Sequence, residues 1–255
     1  MSDVTLQVEA GVAVLTLDNP SKLNALTMGM LDTLGNHLDA LETRTDVRGV
    51  ILTGAGAKAF CCGADIAEWG SLSPSEFARH WVRRGHRVFD RLARLHLPTI
   101  AALNGHAFGG GLELASACDI RVMAPTATLA LPEARVGIVP GWSGTQRLLR
   151  LLPEPVVKEM ALLGRRISAD RAAAFGYVAE IADDALSSAK DIAAQLSGLS
   201  PRATEVSKSM IHASQGEDRA AMVEALGGAA IAASEDRAEG VVAFLNKRSA
   251  EFSGK

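Results

Sequence analysis

The sequence has little aromatic surface and no concentrated positive charge. Only 4% of its 255 residues are Phe, Trp or Tyr, and its lysines and arginines form no long basic block. Proteins that bind nucleic acids use aromatic platforms and basic patches. The composition therefore predicts no nucleic-acid partner.

Cysteine and histidine are too few and too scattered for a disulfide scaffold or a zinc site. The three cysteines, Cys61, Cys62 and Cys118, form no Cys-x-x-Cys pair, and the six histidines include no His-Glu-x-x-His pattern. Disulfide-rich and zinc-binding domains depend on such spacings. We therefore expect no metal and a reducing, cytoplasmic setting.

Hydropathy and charge give no indication of a membrane protein. Residues 1–11 lack the basic segment and the following apolar segment of a signal peptide. The most apolar late stretch, 220–233, is interrupted by Glu224 and is too short to span a bilayer. With a net charge of −3 and a pI near 6.1, the chain is expected to be a cytoplasmic protein without a membrane partner.

The sequence does contain a clear alternation of strand and helix patterns. Alternating apolar residues predict strands, and apolar residues three and four apart predict helices. Strands are expected at 4–8, 12–17, 47–52, 98–103, 120–123, 128–131 and 177–181. Helices are expected from a Thr27 cap to residue 41, at 74–95, 112–117, 143–152 and 156–163, after a Ser168 cap, and almost throughout after residue 183.

This order predicts an α/β core over residues 1–195 and a helical region over residues 196–255. The recurring strand–strand–helix order is typical of a structural repeat. Residues 220–233 carry many alanines, as surfaces that contact another subunit often do. It is equally possible that these alanines pack against the core of their own chain.

Three short segments combine glycine with residues that can do chemistry. In the first, residues 58–66, the small residues Cys62, Gly63 and Ala64 follow a strand and precede a helix. Backbone NH groups in such a turn can hold an anion or a developing oxyanion. An ordinary strand-to-helix turn is the alternative.

The second segment, residues 104–114, places three consecutive glycines, 109–111, at an expected helix start. Glycine lets a ligand approach the backbone, and the helix dipole adds positive potential there. Glu113 falls in the first helical turn, where a simple dipole partner is the alternative to a catalytic role. His106, beside the glycines, is expected to be a structural histidine, with contact to a ligand as the alternative.

The third segment, residues 131–147, places Glu133 at a strand end ahead of an irregular loop, a common location of functional residues. A solvated loop carboxylate is the alternative.

Two other motifs are rejected. A nucleophile elbow around Ser143 needs glycine where Thr145 stands, and Ala59 replaces the third glycine of a dinucleotide-binding motif.

Together and in this order, the three segments resemble the crotonase (enoyl-CoA hydratase/isomerase) superfamily. The resemblance covers nearly the whole chain, from the Asn-Ala-Leu of residues 24–26 to the Phe-Leu-Asn-Lys-Arg of residues 244–248. It implies an α/β fold, a crotonase-like spiral of ββα units that binds CoA and carries catalysis. A helical C-terminal trimerisation region would follow, giving a homotrimer or a hexamer made as a dimer of trimers.

The resemblance also implies the chemistry. Ala64 and Gly110 match the backbone donors of the family's oxyanion hole, and Glu113 and Glu133 match the two catalytic glutamates of true hydratases. The implied reaction is reversible syn addition of water across the 2,3 double bond of a 2-enoyl-CoA to give a 3-hydroxyacyl-CoA. Coenzyme A is part of the substrate, so no cofactor is expected.

The same resemblance implies residues that contact the substrate or its CoA group. Gly141 matches a loop glycine beside the acid site, and Cys62 matches a residue whose carbonyl meets the adenine. Phe244 and Lys247 match positions that reach the CoA of a neighbouring subunit. The full set is Lys22, Asn24, Ala25, Leu26, Cys62, Asp65, Ile66, Gly109, Pro132, Gly141, Trp142, Phe244 and Lys247.

Two departures from the family pattern bear on the substrate. Ala67 stands where many hydratases carry a lysine near the CoA phosphates, so a phosphate contact would be lost. Trp142 and Ser143 replace a smaller Ala-Gly pair. The indole of Trp142 would either narrow the acyl pocket or pack against its own loop.

Other activities on the same scaffold stay open at this point. Enoyl-CoA isomerisation needs one base and no bound water, and thioester hydrolysis needs a glutamate that activates water at the thioester carbon. An RNA-associated binding protein is a remoter alternative, which the low aromatic and basic content disfavours.

Overall fold

A computed structural model describes residues 2–255 and mixes strands with helices as the sequence predicts. The strands are β1 (Asp3–Glu9), β2 (Val12–Asp18), β3 (Gly49–Gly54), β4 (Ala59–Cys61), β5 (Thr99–Leu103), β6 (His106–Phe108), β7 (Ile120–Met123), β8 (Thr128–Ala130), β9 (Ile167–Ser168) and β10 (Glu180–Ile181). The α-helices are α1 (Met28–Glu42), α2 (Ile66–Trp69), α3 (Pro74–Glu76), α4 (Arg83–Arg94), α5 (Gly110–Ser116), α6 (Gly144–Leu151), α7 (Glu154–Leu163), α8 (Ala169–Ala174), α9 (Ala185–Ala194), α10 (Pro201–Ser214), α11 (Arg219–Ala232) and α12 (Glu235–Leu245). Among the described residues, none of these helices is both long enough and apolar enough to cross a membrane.

The strands form two sheets, and the chain alternates between them. One sheet has the order β1-β2-β3-β5-β7-β10, and the other has the order β4-β6-β8-β9. The pairs β1–β2 and β8–β9 are antiparallel, and the other neighbours are parallel. From β3 to β8, each strand of the first sheet is followed by one of the second, and helices then return the chain. The predicted α/β spiral of strand–strand–helix units is confirmed.

Local sequence explains the first elements of the chain. Ala10 and Gly11 both have positive φ angles, 49° and 78°, as a tight two-residue hairpin turn requires. The side chain of Thr27 accepts a hydrogen bond from the NH of Met30 (3.1 Å) and caps α1. The buried leucines of α1 follow helical spacing. The strands predicted at 4–8 and 12–17 and the predicted cap are confirmed.

The structure departs from prediction where elements are short or irregular. The sequence does not predict β4, β6 and β9, which have only two or three residues each and therefore show little alternation. β10 covers only the end of the strand predicted at 177–181. The helix predicted at 74–95 is interrupted by a π-helical segment, Phe77–Val82, which separates α3 from α4 and contains the buried Trp81.

The core lies on both faces of the central strands β3 and β5, whose residues are all buried. Parallel strands covered on both faces need apolar side chains throughout, so their sequences do not alternate. Three alanines of α9, Ala185, Ala189 and Ala193, pack on one face. The larger cluster contains the buried leucines of α1 together with Phe89 and Trp142.

The chain forms two compact units, one ending at Thr204 and the other comprising Glu205–Lys255. Within the second unit, a two-pronged ion pair joins Arg248 to Glu239, and Asp236 accepts hydrogen bonds from the backbone near the C-terminus. The predicted boundary at residue 195 lies earlier in the chain. The oligomerisation role assigned to residues 196–255 stays a prediction.

Candidate active site

The turn after β4 presents a backbone NH group that the fold does not use. The NH of Leu26 donates to the carbonyl of Gly63 (2.8 Å), and the carbonyl of Leu26 accepts from the NH of Asp65 (2.9 Å). This bridge uses the groups on either side of Ala64. Within residues 2–255, the NH of Ala64 itself donates to no protein acceptor. It is therefore available to a ligand.

The glycine turn after β6 supplies a second NH group. Gly109 has φ 50° and ψ −125°, a conformation that favours glycine strongly. Gly110 is the first residue of α5, so its NH is one of the amides that have no acceptor within a helix. A Cβ placed on Gly63 would lie 3.6 Å from the nitrogen of Gly110. The two turns are thus in contact, and both NH groups lie in one small region.

Glu113 is buried one turn into α5, with 2% of its surface exposed. Its Oε1 accepts hydrogen bonds from the NH groups of Trp142 (2.8 Å) and Gly144 (2.8 Å). Burial raises the pKa of Glu113, while the NH groups of Trp142, Gly144 and Gly141 and the charge of Arg147 act in the opposite direction. Glu113 is therefore a fixed internal carboxyl group and not an exposed partner of the helix dipole.

Glu133 reaches the same region from the end of β8. It opens the 3-10 turn Glu133–Val136 and is only 7% exposed, so it is not a solvated loop carboxylate. A Cβ on Gly109 would lie 2.7 Å from its Oε1, and its buried Oε2 has no hydrogen-bond partner among the described residues. Burial, reinforced by the negative charge of Glu113, raises the pKa of Glu133 to about 7. Such a group can hold or release a proton near neutrality.

These groups converge because β4, β6 and β8 are neighbouring parallel strands of one sheet. Ala64, Gly110 and Glu133 each follow the carboxyl end of one of these strands, and such ends meet at one edge. Two NH donors beside two carboxyl groups can stabilise negative charge on a carbonyl oxygen and move protons next to it. Among residues 2–255, no three His, Cys, Asp or Glu side chains are grouped so that they could bind a metal ion.

The residues predicted to contact CoA differ in how deeply they are buried. Lys22 and Ile66 lie at the surface, whereas the side chain of Asp65, which pairs with Lys22 (Nζ to Oδ2 2.5 Å), is only 11% exposed. Asn24 is buried, and its side-chain NH group donates to two backbone carbonyls around the β3–β4 connection (2.9 and 2.8 Å). Leu26 is fully buried. Asn24 and Leu26 therefore shape this segment from inside.

The other predicted contact residues occupy several parts of the chain. Ala25 and Cys62 are half-buried, and the Cδ atom of Pro132 lies beside Gly109. Phe244 is 83% exposed near the end of α12, and Lys247 follows that helix. Both belong to the second unit, and their role towards a neighbouring subunit stays a prediction.

Two histidines near the site, His106 and His86, have different surroundings. His106 is a structural histidine as predicted, because its Nδ1 lies 3.2 Å from the backbone nitrogen of Thr128. The sequence does not predict the polar chain that starts at His86. His86 connects Ser143 Oγ (2.8 Å from Nδ1) to Asp90 Oδ2 (3.2 Å from Nε2).

This polar chain continues behind Glu113. Asp90 forms an ion pair with the buried Arg147, whose positive charge opposes the rise in the pKa of Glu113 that burial causes. The only sequence signal is the i, i+4 spacing of His86 and Asp90, which places them on one face of a predicted helix. Nothing in the sequence connects that face with Ser143 or Arg147.

Comparison with known proteins gives consistent matches along the whole chain. Residues 7–255 match the family model described as Enoyl-CoA hydratase/isomerase. The short-chain-enoyl-CoA hydratase of Clostridium acetobutylicum is 36% identical, over 98% of this chain and 97% of its own. The crotonyl-CoA hydratase of Syntrophomonas wolfei is 36% identical, over 99% and 98%. Among solved structures, an enoyl-CoA hydratase from Bacillus anthracis has a TM-score of 0.81 at 34% identity, covering 99% of both chains.

Proposed function

Because the chain belongs to the enoyl-CoA hydratase/isomerase family and is an enoyl-CoA hydratase, we propose that Glu113 and Glu133 together add water to a 2-enoyl-CoA. One observation carries this assignment of roles: two buried carboxyl groups meet at one place in different environments. Glu113 receives two NH donors on one oxygen, whereas Glu133 has a buried oxygen without a partner and a pKa of about 7. The substrate is an acyl-CoA thioester.

The thioester oxygen accepts hydrogen bonds from the NH groups of Ala64 and Gly110. When water attacks C3, negative charge moves through C2 onto this oxygen, and the two donors stabilise it. Removal of one such preorganised donor costs about 3 to 4 kcal/mol in comparable sites. The donors favour the enolate-like state over the ground-state thioester, so they act on the rate.

The two glutamates divide the proton transfers. The NH donors of Trp142 and Gly144 favour the ionised form of Glu113, which holds the water molecule and removes its proton. Glu133 lacks such donors on its Oε2, has a pKa that burial raises to about 7, and delivers its proton to C2. The roles reverse in dehydration. Each positioned acid or base contributes about 10² to 10⁴-fold to the rate.

The two carboxyl groups share a site and titrate as a coupled pair. The negative charge of Glu113 raises the pKa of Glu133, and the positive charge of Arg147 opposes the rise at Glu113. One shared proton, held on Glu133, is the state that hydration needs. Isomerisation needs a single base, so the second buried carboxyl group supports hydration.

We also propose a homotrimer, or a hexamer of two such trimers, in the cytoplasm, with no nucleic-acid or membrane partner. Support for the assembly comes from large exposed apolar side chains in the second unit, including Phe244 (83%) and Leu245 (72%). No metal or redox cofactor is proposed, because the reaction transfers protons without electrons and backbone NH groups stabilise the oxyanion.

The test is hydration of crotonyl-CoA, followed by loss of the enoyl-thioester absorbance. Glu113→Gln and Glu133→Gln should each lower the rate by at least about 10²-fold, because glutamine keeps the shape but transfers no proton. The matched control is Glu154→Gln, an exposed glutamate paired with Lys158, which should leave the rate unchanged. Rates near the parent value in both active-site variants would show the mechanism to be wrong, and release of free thiol would show hydrolysis instead.

A further inference from the structure

The indole of Trp142 fills the space beside the NH donor of Gly110. Trp142 is only 3% exposed. A Cβ on Gly110 would lie 2.6 Å from Cζ3 and 2.8 Å from Cε3 of the indole. The six-membered ring therefore rests directly on the backbone of Gly110, and any side chain at that position would displace it.

The other edge of the indole is wedged against α4. A Cβ on Gly85 would lie 2.3 Å from Cε2 and 2.4 Å from Nε1 of Trp142. The ring centroids of Trp81 and Phe89 are 5.3 and 5.1 Å from that of Trp142. Gly85 and Gly110 thus form a slot for the ring, and the two aromatic neighbours hold it there.

The proposed function places the acyl carbons of the substrate in front of this ring. In that reaction the thioester oxygen accepts hydrogen bonds from the NH groups of Ala64 and Gly110, and C2 and C3 lie between Glu113 and Glu133. The backbone NH of Trp142 is bound to Glu113 (2.8 Å), while the ring touches Gly110. The ring therefore borders the line from the thioester past the catalytic carboxyl groups, where the acyl chain beyond C3 must run.

The indole nitrogen gives a second, independent observation. Nε1 of Trp142 is buried without a hydrogen-bond partner among residues 2–255. A tryptophan buried for core packing usually has a partner for this NH, because an unpaired donor costs free energy. A leucine or phenylalanine would fill a core position without that cost. The bulk of the indole at this location is therefore the feature that needs a functional reason.

We propose that Trp142 closes the acyl end of the site, so that the enzyme accepts enoyl chains of crotonyl size and rejects chains of octenoyl size. The assignment rests on the proposed function and makes Trp142 the residue that determines acyl-chain length. Removal of the ring would open an apolar space between α4 and Gly110, lined by Trp81 and Phe89. Longer acyl chains would enter that space.

The experiment compares kcat/KM for crotonyl-, 2-hexenoyl- and 2-octenoyl-CoA in the wild type, Trp142→Ala and Trp142→Leu. Apolar pockets discriminate chain length by about 10- to 200-fold, so the octenoyl-to-crotonyl ratio should rise at least about 10-fold in Trp142→Ala and less in Trp142→Leu. The matched control is Leu41→Ala, which shortens a fully buried side chain at the end of α1 and should leave the ratio unchanged.

A ratio that stays at the wild-type value in a variant that still hydrates crotonyl-CoA would overturn the proposal. A wild type that hydrates octenoyl-CoA as efficiently as crotonyl-CoA would overturn it as well, even if both variants failed to fold. Failure of the proposed function has a different signature: no hydration of any of the three substrates, or crotonyl-CoA hydration that persists in Glu133→Gln.

Discussion

At the scale of single residues, the carboxyl group of Glu133 can bind or release a proton at neutral pH because the fold buries it away from water. Its pKa of about 7 in the folded chain lies above the ordinary value of 4.5, mainly because of burial. The folded state therefore binds this proton more tightly than the unfolded chain does. As pH rises from the ordinary pKa to the folded pKa, the unfolded chain ionises first, and stability falls. A group suited to acid catalysis thus destabilises the fold at neutral pH.

Glu133→Gln should remove this pH-dependent loss of stability. Relative to its value near pH 4, where both side chains are neutral, the free energy of unfolding of the variant should exceed that of the wild type by about 1 to 3 kcal/mol above pH 7. Urea unfolding at several pH values measures the difference. Glu154→Gln is a control of opposite sign, because Lys158 lowers the pKa of Glu154 and its carboxylate stabilises the fold at neutral pH. A difference that does not grow with pH would contradict the burial of Glu133 as an acid.

The sequence places both glutamates but cannot reveal their burial. Glu113 occupies a first helical turn, where an exposed dipole partner is just as compatible with the residues around it. Its donors Trp142 and Gly144 are 29 and 31 positions away, so the environment that sets its pKa exists only after folding. The resemblance to a family identifies these two positions, and the structure supplies the physical reason why they can work together.

At the scale of elements, α4 contains a glycine that weakens it locally. Glycine costs a helix interior about 1 kcal/mol relative to alanine. The structure explains Gly85, because a Cβ there would collide with the indole of Trp142, which comes from the loop before α6. The helix therefore gives up local stability to admit a side chain of the site. From the sequence alone, Gly85 is only a residue that disfavours the predicted helix, with no visible reason for its position.

The effect of Gly85→Ala on stability should have opposite signs in the wild type and in a variant that lacks the indole of Trp142. In the wild type, the added methyl group overpacks against the indole and should destabilise the protein by about 1 to 3 kcal/mol. In Trp142→Ala, the indole is absent, and the same substitution should stabilise by up to about 1 kcal/mol through helix propensity. A double-mutant cycle in chemical denaturation measures both values. An effect of equal sign in the two backgrounds would show that Gly85 and the indole are not in contact.

Short strands limit what the sequence can predict about this site. β4 and β6 have three residues each, and the turns that follow them carry Ala64 and Gly110. Their glycines identify the turns, but three residues show little of the alternation by which a strand is recognised. The longer elements α1 and β2 are predicted well, because their apolar periodicity extends over more residues. The elements that hold the site are the ones with the least local signal.

At the scale of the whole molecule, the order of strands decides which segments meet. The sequence predicts three chemically promising segments, and only the parallel pairing of β4 with β6 and of β6 with β8 brings their ends to one edge. Strand order depends on contacts between residues far apart in the chain, which one sequence does not display. The helical C-terminal part shows the same limit, since its alanine-rich pattern suits cover of a core and contact with a subunit equally.

The second unit, taken by itself, exposes more apolar surface than a soluble monomeric protein usually does. Around α12 it carries a set of large apolar side chains with 47 to 83% of their surface exposed, namely Ile231, Val241, Phe244, Leu245 and Phe252. Contiguous exposed apolar surface of this kind marks an interaction site in folded proteins. A second copy of the chain, in the proposed trimer, would remove this surface from water and contribute the free energy that holds the assembly together.

Leu245→Glu should therefore shift the protein towards the monomer. Leu245 is 72% exposed within the single chain, so a glutamate there should leave the fold intact. In a subunit interface, the same carboxylate would lose its water without gaining a partner, a cost of several kcal/mol at each contact. Sedimentation velocity or light scattering measures the mass, and Val8→Glu, at a 37% exposed position of β1, is the matched control.

A wild type that is already monomeric, or a Leu245→Glu variant that keeps the wild-type mass, would show that this surface does not form the assembly. Because the site glutamates lie in the first unit, hydration of crotonyl-CoA by the monomeric variant would further show that both catalytic carboxyl groups work without a neighbouring subunit.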